Sequence, residues 1–484
     1  MAVGPVDRDG VLADEIHRAR GDLGGDAAGI EQRHAGHLLD AHRAAAAQAK
    51  IARREHGFVI VLPNESDFGA VKTDDFERQR HRATLPIGDG RRKLPRVKLP
   101  RVRLTKDLSR HVYAGHPWIF ADALGIAEIP TGTVVDVVGM DGRFLARGLY
   151  DAGSPIAVRV ATLDRAEAVD AALVRRRLEE ALASRRGAID AHETDAFRWV
   201  NGEGDFLPGV VVDLYGSVAV IRLDGEAVRA LRPFVVEAVV AIGRSMGVEH
   251  VIERSRRGQG EVLFGAPPPS LVEVRESGVR FAVDVLHGQK TGAFLDQREN
   301  RRAVARYAAG VEVANLFSYT GGFSVHAALG GATRVASVDS AAAALEAARS
   351  NFALNGLDPE RHEFACADAF AWLAEAHRTK RRFGLVVVDP PSFAPSEKAV
   401  VKALAAYRDL HAAALSVLAP GGVIAAASCS SHVDAEAFLG ALRDAAVQAG
   451  RRLRVLEVRG QPADHPSLPA FPEGRYLKLI IARG

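Results

Sequence analysis

The chain has 484 residues and a mass of 51.7 kDa, with 48% hydrophobic and 25% charged residues, a balance that excludes a wholly disordered, collagenous or disulfide-stapled protein. Sixty-three Lys and Arg against sixty Asp and Glu leave a net charge of +3, so there is no global attraction for polyanions and any nucleic-acid contact must come from local basic clusters. The two cysteines, Cys366 and Cys429, are too few for a disulfide framework and wrongly spaced for a zinc site, so no metal centre and a reducing cytoplasm are expected.

At ~150 residues per domain the length accommodates about three domains. Residues 1–94 hold one convincing apolar run, Phe58-Val59-Ile60-Val61-Leu62. With so little to bury they are expected to form a mostly disordered extension. Between Arg91 and Arg110 stand nine basic residues and one acid, Asp107, which read equally as a solvated linker or as a phosphate-contacting arm. Over residues 95–168 the texture changes to short β-like runs, separated by Asp141-Gly142 and Gly153-Ser154-Pro155, a hairpin pattern that predicts a small β-barrel. Its His116-Pro117-Trp118-Ile119-Phe120 run reads either as core or as a partly exposed stacking surface. Residues 169–270 then predict an α+β domain: a helix over Ala171–Arg186, a hairpin around Leu214-Tyr215-Gly216-Ser217, a helix over Glu226–Met246 and a strand over His250–Glu253. The stretch Gly265 to Ser270, with three consecutive prolines, reads as a linker.

From Gly310 onward apolar strands and helices alternate strictly, which predicts a doubly wound parallel sheet within residues 271–484. Its end departs from the alternation, since Leu453–Val458 and Tyr476–Ala482 are two strands with no helix between them. An α/β sheet closed by an antiparallel hairpin is the Rossmann-like architecture of class I methyltransferases, not of a nicotinamide-binding domain. The uncharged stretch Ala412 to Ser431 is broken by Pro420-Gly421-Gly422, so it reads as a helix end, a turn and a buried strand, and no membrane contact is expected.

The strand ends carry the chemistry. After the first strand, Asn315-Leu316-Phe317-Ser318-Tyr319-Thr320-Gly321-Gly322-Phe323 lacks a dinucleotide G-x-G-x-x-G but keeps paired glycines where backbone must approach a ligand. This makes Asn315, Phe317, Tyr319 and Gly321 cofactor candidates. Asp339 closes the second strand, where a carboxylate can accept both ribose hydroxyls of an adenosine ligand, with helix capping as the competing role. Asp368 closes the third, with adenine contact favoured over capping. Asp389-Pro390-Pro391 ends the fourth strand and aims a carboxylate and a donor-free turn at the crevice, as in methyltransferases acting on nucleobases or amide nitrogens. Cys429 ends the fifth, on the strand expected beside that of Asp389. A thiol there suits cytosine chemistry, because C5 becomes nucleophilic only after a thiolate adds at C6. Cys366, beside Phe364, reads as a core residue.

At this point the sequence resembles the RlmI-type methyltransferases, which make 5-methylcytosine in bacterial large-subunit ribosomal RNA. The resemblance spans about Arg101 to Arg483 and rests on His116–Phe120, Gly202-Glu203-Gly204-Asp205-Phe206-Leu207-Pro208-Gly209, His287–Arg298, Phe317–Phe323, Asp389-Pro390-Pro391, Ser428-Cys429-Ser430, Ala463-Asp464-His465-Pro466 and Pro472–Lys478. Residues 1–94 have no counterpart in it. It implies a PUA-type RNA-binding barrel, a central α+β domain and a catalytic domain using S-adenosyl-L-methionine. It also implies that Gln289 to Arg298 folds over the cofactor, which adds Lys290, Thr291, Asp296, Gln297 and Arg298, the last for the methionine carboxylate. Cys429 would be the nucleophile and Asp389 would grip the cytosine edge and border the cofactor. The implied partner is unpaired or partly assembled large-subunit (23S) ribosomal RNA, in the cytoplasm, with a homodimer left open. Two alternatives stand beside this reading: a guanine-nitrogen methyltransferase of the same fold, and a non-catalytic RNA-binding ribosome assembly factor.

Overall fold

The computed structural model describes residues 98–255 and 260–484. The expected disordered extension over residues 1–94, and the basic residues Arg91, Arg92, Lys93 and Arg96, lie outside the described residues.

The first five strands, β1 (Arg101–Arg103), β2 (Trp118–Phe120), β3 (Val134–Val138), β4 (Phe144–Tyr150) and β5 (Ile156–Thr162), form one sheet in the order β1-β3-β4-β5-β2. Alternating apolar residues of these strands, among them Val102, Ile119, Val135, Val137 and Val158, fill its interior. Gly142 turns the β3–β4 hairpin with a left-handed φ of 79°. The His116–Phe120 run is partly core, with His116 and Ile119 buried. Ile119 is core and Phe120 is exposed, while Trp118 donates its indole N–H to Glu203 Oε1 at 2.8 Å and packs edge-on against Phe471 with ring centroids 4.6 Å apart.

A second sheet runs β10 (Glu261–Phe264), β9 (His250–Glu253), β8 (Val218–Leu223), β7 (Val210–Tyr215), β6 (Ala196–Asn201). The helix Ala171–Arg186, capped by the Asp170 carboxylate on Leu173 N–H, packs over it. The long helix expected over Glu226–Met246 is observed as a 3-10 turn, Ala227–Leu231, an α-helix, Arg232–Gly243, and a second 3-10 turn, Arg244–Met246. Pro233 sets the break, because it has no N–H for a preceding carbonyl and fits only the first turn of an α-helix. The proline-rich stretch 265–270 leads into the hairpin β11 (Val272–Glu276) and β12 (Val279–Val283). Elements on either side of it share one apolar cluster, in which Tyr215, Val218 and Val220 meet Val274, Phe281, Val313 and Leu385.

The third sheet comprises β13 (Glu312–Leu316), β14 (Arg334–Asp339), β15 (Glu363–Cys366), β16 (Phe383–Val388), β17 (Leu418–Ser428), β18 (Arg454–Arg459) and β19 (Lys478–Arg483), in the order β15-β14-β13-β16-β17-β19-β18. Strands β13 to β17 pair in parallel, and β19 is antiparallel to both its neighbours. Val386, Val387 and Val388 are fully buried, as expected of a parallel strand covered on both faces. The chain order reverses between β13 and β16, which opens a crevice beyond their C-terminal ends. Cys366 departs from expectation: it ends the edge strand β15 and is exposed, because the sheet has no further strand to cover it. Among the described residues no helix is long and apolar enough to cross a membrane.

Candidate active site

A cavity of about 400 Å³ lies at the strand-order reversal, bounded by the ends of β13, β14, β16 and β17 and by the 289–297 segment. Phe317, Tyr319, Asp339, Asp389 and Cys429 line it, with Lys290, Asp296 and Gln297 from the overlying segment. The residues expected at the site from three strand ends and from the β13 turn thus share one wall with a segment that precedes them all in sequence.

The turn after β13 is shaped by backbone. Phe317 and Tyr319 hold left-handed φ values of 57° and 46°, a conformation costly for side chains with a Cβ and typical of ligand sites. Asp339 fixes the turn: Oδ2 accepts Tyr319 N–H at 2.8 Å and Oδ1 accepts Ala341 N–H at 2.9 Å. Each carboxylate oxygen keeps a lone pair for a further donor. Gly321 sits behind the turn, where a Cβ would meet that of Ala348 at 2.9 Å. Asn315 is buried in β13 and donates to Ser324 Oγ at 2.9 Å. Both shape the turn from outside the cavity lining.

The 289–297 segment is clamped from the second sheet. Arg254 donates to the carbonyls of Val285 and Gly288 at 3.0 and 2.7 Å. Thr291 donates to Asp213 Oδ2 at 2.5 Å and meets Tyr215 Oη at 2.9 Å, so this residue anchors the segment from below and does not line the cavity. Asp213 is itself fully buried and chelated by Arg198 at 2.8 and 3.0 Å.

Two carboxylates with opposite character face the cavity. Burial works against ionisation of Asp296, yet the Lys290 ammonium at 2.6 Å and the Tyr476 hydroxyl at 2.7 Å hold it well below the ordinary carboxylate range. Its Oδ1 is buried without a partner among the described residues. Asp389 is pushed up to about 6, chiefly by burial and then by the charge of Asp296, while Gln297 donates to its Oδ2 at 2.9 Å. Asp389 is therefore poised to give or take a proton near neutral pH. Burial, and next the charge of Asp389, push the Cys429 thiol up; Lys290 pulls it down.

Two expected positions are corrected. The Arg298 guanidinium does not line the cavity: both terminal nitrogens donate to the fully buried Asp464 at 2.9 Å. The guanidinium that does reach the wall is that of Arg301, one helical turn on, held by Glu276 at 2.6 Å. Asp368 caps the helix Ala369–Arg378 through Ala371 N–H at 3.1 Å and is exposed, so the capping role is the one observed. Sequence reasoning also missed Glu276, Arg301 and the hydroxyl of Tyr476. Their signal was faint, an arginine three residues past Arg298 and a motif piece, Tyr476-Leu477-Lys478, with no role attached.

On the barrel, a separate basic cavity of about 580 Å³ is lined by Arg101, Arg143 and Arg165 around Phe144. Arg165 lies 6.0 Å from the Phe144 ring centroid. Among the described residues Arg101 and Arg165 have no ion-pair partner, whereas Lys106 of the same basic run pairs with Asp122 at 2.7 Å. The one acid in the wall, Asp136, is paired with Arg147 at 2.8 Å.

A sheet ordered 3-2-1-4-5-7-6 with a ribose-type carboxylate after its second strand and Asp-Pro-Pro after its fourth defines a class I S-adenosylmethionine-dependent methyltransferase. The model of that family matches residues 205–473, and a PUA-like domain model matches residues 102–163. Proteins named ribosomal RNA large subunit methyltransferase I are similar over most of the chain: 38% identity in Klebsiella pneumoniae, covering 79% of this chain and 98% of the relative, and 39% in Alteromonas mediterranea, covering 76% and 94%. A solved chain from Streptococcus mutans, described as a SAM-dependent methyltransferase, shares the fold with a TM-score of 0.72 at 22% identity, covering 80% of this chain and all of that one. The chain belongs to the ribosomal RNA large subunit methyltransferase I family.

Proposed function

We propose that this protein transfers a methyl group from S-adenosyl-L-methionine to C5 of a cytosine in large-subunit ribosomal RNA. The observation that carries the reading is Cys429 in the same cavity wall as Asp389, next to a cofactor-type turn. The guanine-nitrogen alternative has no use for a thiol there.

The residues present fit the cofactor. Asp339 offers two oxygens to ribose hydroxyls, Phe317 and Tyr319 border the adenosine end, the unpartnered Asp296 Oδ1 offers an acceptor to the methionine ammonium, and Arg301 offers a cation to its carboxylate. When bound, the sulfonium supplies an electrophilic methyl group. The thiolate of Cys429 adds to C6, the C5–C6 electron pair becomes available at C5, and Asp389 stabilises the charge that develops on the ring by donating to N3 or accepting from the exocyclic amine. After methylation the C5 proton leaves to a base and the S–C6 bond breaks, which restores the double bond. A paired cytosine hides C5 and C6, so the substrate is unpaired or locally opened RNA.

Mass mapping of methylated nucleotides in ribosomal RNA from cells with and without the protein tests the reading, the expected result being loss of one 5-methylcytosine from the large subunit. A lost methylguanine instead would move the nitrogen-methylation reading ahead. Asp339→Ala is expected to weaken cofactor binding by ~1.5–3 kcal/mol, the range for hydrogen bonds to a charged group; calorimetry showing unchanged affinity would remove Asp339 from the site. The barrel cavity is read as an RNA backbone contact. Arg101→Ala with Arg165→Ala should raise the KM for ribosomal RNA and shallow the salt dependence of binding by about one in slope per lost phosphate contact. Cofactor affinity and kcat should stay unchanged.

A further inference from the structure

Backbone pairing between β16 and β17 stops at Val388 and Ala426, short of both Asp389 and Cys429, so the spacing of these two groups is set by what lies beyond the ladder. Cys429 is flanked by two fully buried serines, Ser428 and Ser430, and one phenol reaches both of them. Tyr407, in the helix Val400–Ser416, is itself fully buried. Its Oη lies 2.9 Å from Ser428 Oγ and 2.9 Å from Ser430 Oγ. A phenol carries one proton, so it donates to one serine and accepts from the other. Ser430 carries the link onward: its Oγ lies 3.0 Å from Ser392 Oγ and accepts Ala394 N–H at 3.4 Å. Ser392 and Ala394 belong to the loop that Asp389-Pro390-Pro391 opens. The Tyr407 ring packs against Phe393 of that same loop, with centroids 4.9 Å apart, and is backed by His411 and Phe438 at 6.0 and 5.0 Å. The loop after β16 and the loop after β17 thus meet in one cluster of four hydroxyls, held by a ring packed among three others.

We propose that Tyr407 is a positioning residue that sets the distance between Cys429 and Asp389 through this hydroxyl cluster. The inference rests on the reading of Cys429 as nucleophile. The two groups must work on one base at once, the sulfur meeting C6 from the ring face while the carboxyl meets the N3 or amine edge. A pyrimidine is rigid, so an error in the spacing of the two loops cannot be absorbed by the substrate. Misplacement by ~1 Å can cost about 10²-fold in rate. A paired network of buried hydroxyls holds one arrangement, since a shift of either loop would leave a buried hydroxyl without its partner. The cluster takes no part in bond making or proton transfer, and Tyr407 acts only through the two loops. The hydrogen bonds that hold Asp339, Asp296 and Arg301 come from elsewhere, so cofactor affinity does not depend on it.

The test is Tyr407→Phe in the full chain, which keeps the ring packing and removes the hydroxyl. Its kcat should fall about tenfold or more while the KM for RNA and the affinity for S-adenosyl-L-methionine hold, the signature of an interaction that matters in the transition state alone. Formation of the covalent adduct on RNA carrying 5-fluorocytosine should slow to the same degree. Alkylation of Cys429 by iodoacetamide, in a Cys366→Ser background that silences the exposed thiol, should keep its rate, because a small reagent needs the thiol but not Asp389 in register with it. Ser392→Ala, at an exposed position, cuts the bridge from the other loop and should slow adduct formation likewise. Combined with Tyr407→Phe it should add little, since both break one link. A folded Tyr407→Phe protein with unchanged kcat would overturn the proposal, as would one that loses cofactor affinity or iodoacetamide reactivity in step with kcat. Should Tyr407→Phe not fold, Ser392→Ala decides, and an unchanged adduct rate there would overturn it equally. Wild-type enzyme that forms no adduct on a well-bound fluorinated RNA would instead reject the nucleophile reading itself, so the two failures are told apart.

Discussion

Cys429→Ala is expected to bind cofactor and RNA and to transfer no measurable methyl group, a loss of roughly 10⁴-fold or more, as when a covalent nucleophile is removed. The argument is chemical: C5 of cytosine is unreactive until C6 carries a nucleophile, and the described cavity wall offers one thiol, that of Cys429. Wild-type enzyme should be trapped covalently on RNA carrying 5-fluorocytosine at the target, because fluorine cannot leave C5 as a proton does. Cys429→Ala should form no such adduct, and Cys366→Ala should behave as wild type, its thiol lying on the far edge strand. Retained C5 methylation in Cys429→Ala, or a well-bound fluorinated RNA that yields no adduct, would reject the assignment.

Asp464→Ala should destabilise the protein by ~3–5 kcal/mol, the cost of leaving a buried charge without its partner. Asp464 is fully buried. Its carboxylate accepts from both terminal nitrogens of Arg298 at 2.9 Å, from Arg198 N–H at 3.0 Å and pairs with His465 Nδ1 at 3.2 Å. Its own carbonyl accepts from Arg185 at 2.8 Å, so one short loop ties the third sheet to the second. Burial alone would raise this carboxyl; His465 and then Arg298 hold it far below the ordinary range. The sign follows from linkage: a depressed folded-state pKa contributes stability that is complete above the unfolded value, ~4, and is lost as the pH falls below it. Denaturant titrations at pH 7 and pH 3 should therefore show the largest gap between wild type and Asp464→Ala at pH 7, narrowing in acid. A gap at pH 7 below ~1 kcal/mol, well under the usual cost of an orphaned buried charge, would show that the surroundings relax around the vacated site.

Much of this site was legible in one dimension because parallel strands end where their apolar runs end. The run Leu385-Val386-Val387-Val388 stops at Asp389, Ala336-Ser337-Val338 stops at Asp339, and Ala427-Ser428 stops at Cys429. A doubly wound sheet delivers all such ends to one edge. The alternation of elements, the closing hairpin and the three strand-end groups thus followed from hydrophobic patterning alone.

Hydrogen-bond partners did not follow. Arg298 read as a ligand for a carboxylate, and it is one, but its carboxylate is Asp464, 166 residues further along the chain. Asp368 stood where an adenine contact was expected and instead serves the nearest helix N-terminus. Cys366 read as core because its neighbours are apolar, and only the strand order, which leaves β15 at the edge, exposes it. Lys478 ended a motif piece with no role attached, and only the antiparallel pairing of β19 with β17 sets its ammonium against the carbonyls of Ser430 and Val433. The physical reason is that periodicity reports which face of an element is buried, a local property of the chain, whereas the partner of a buried charge is chosen by packing between elements far apart in sequence and is settled only when the sheets close on one another.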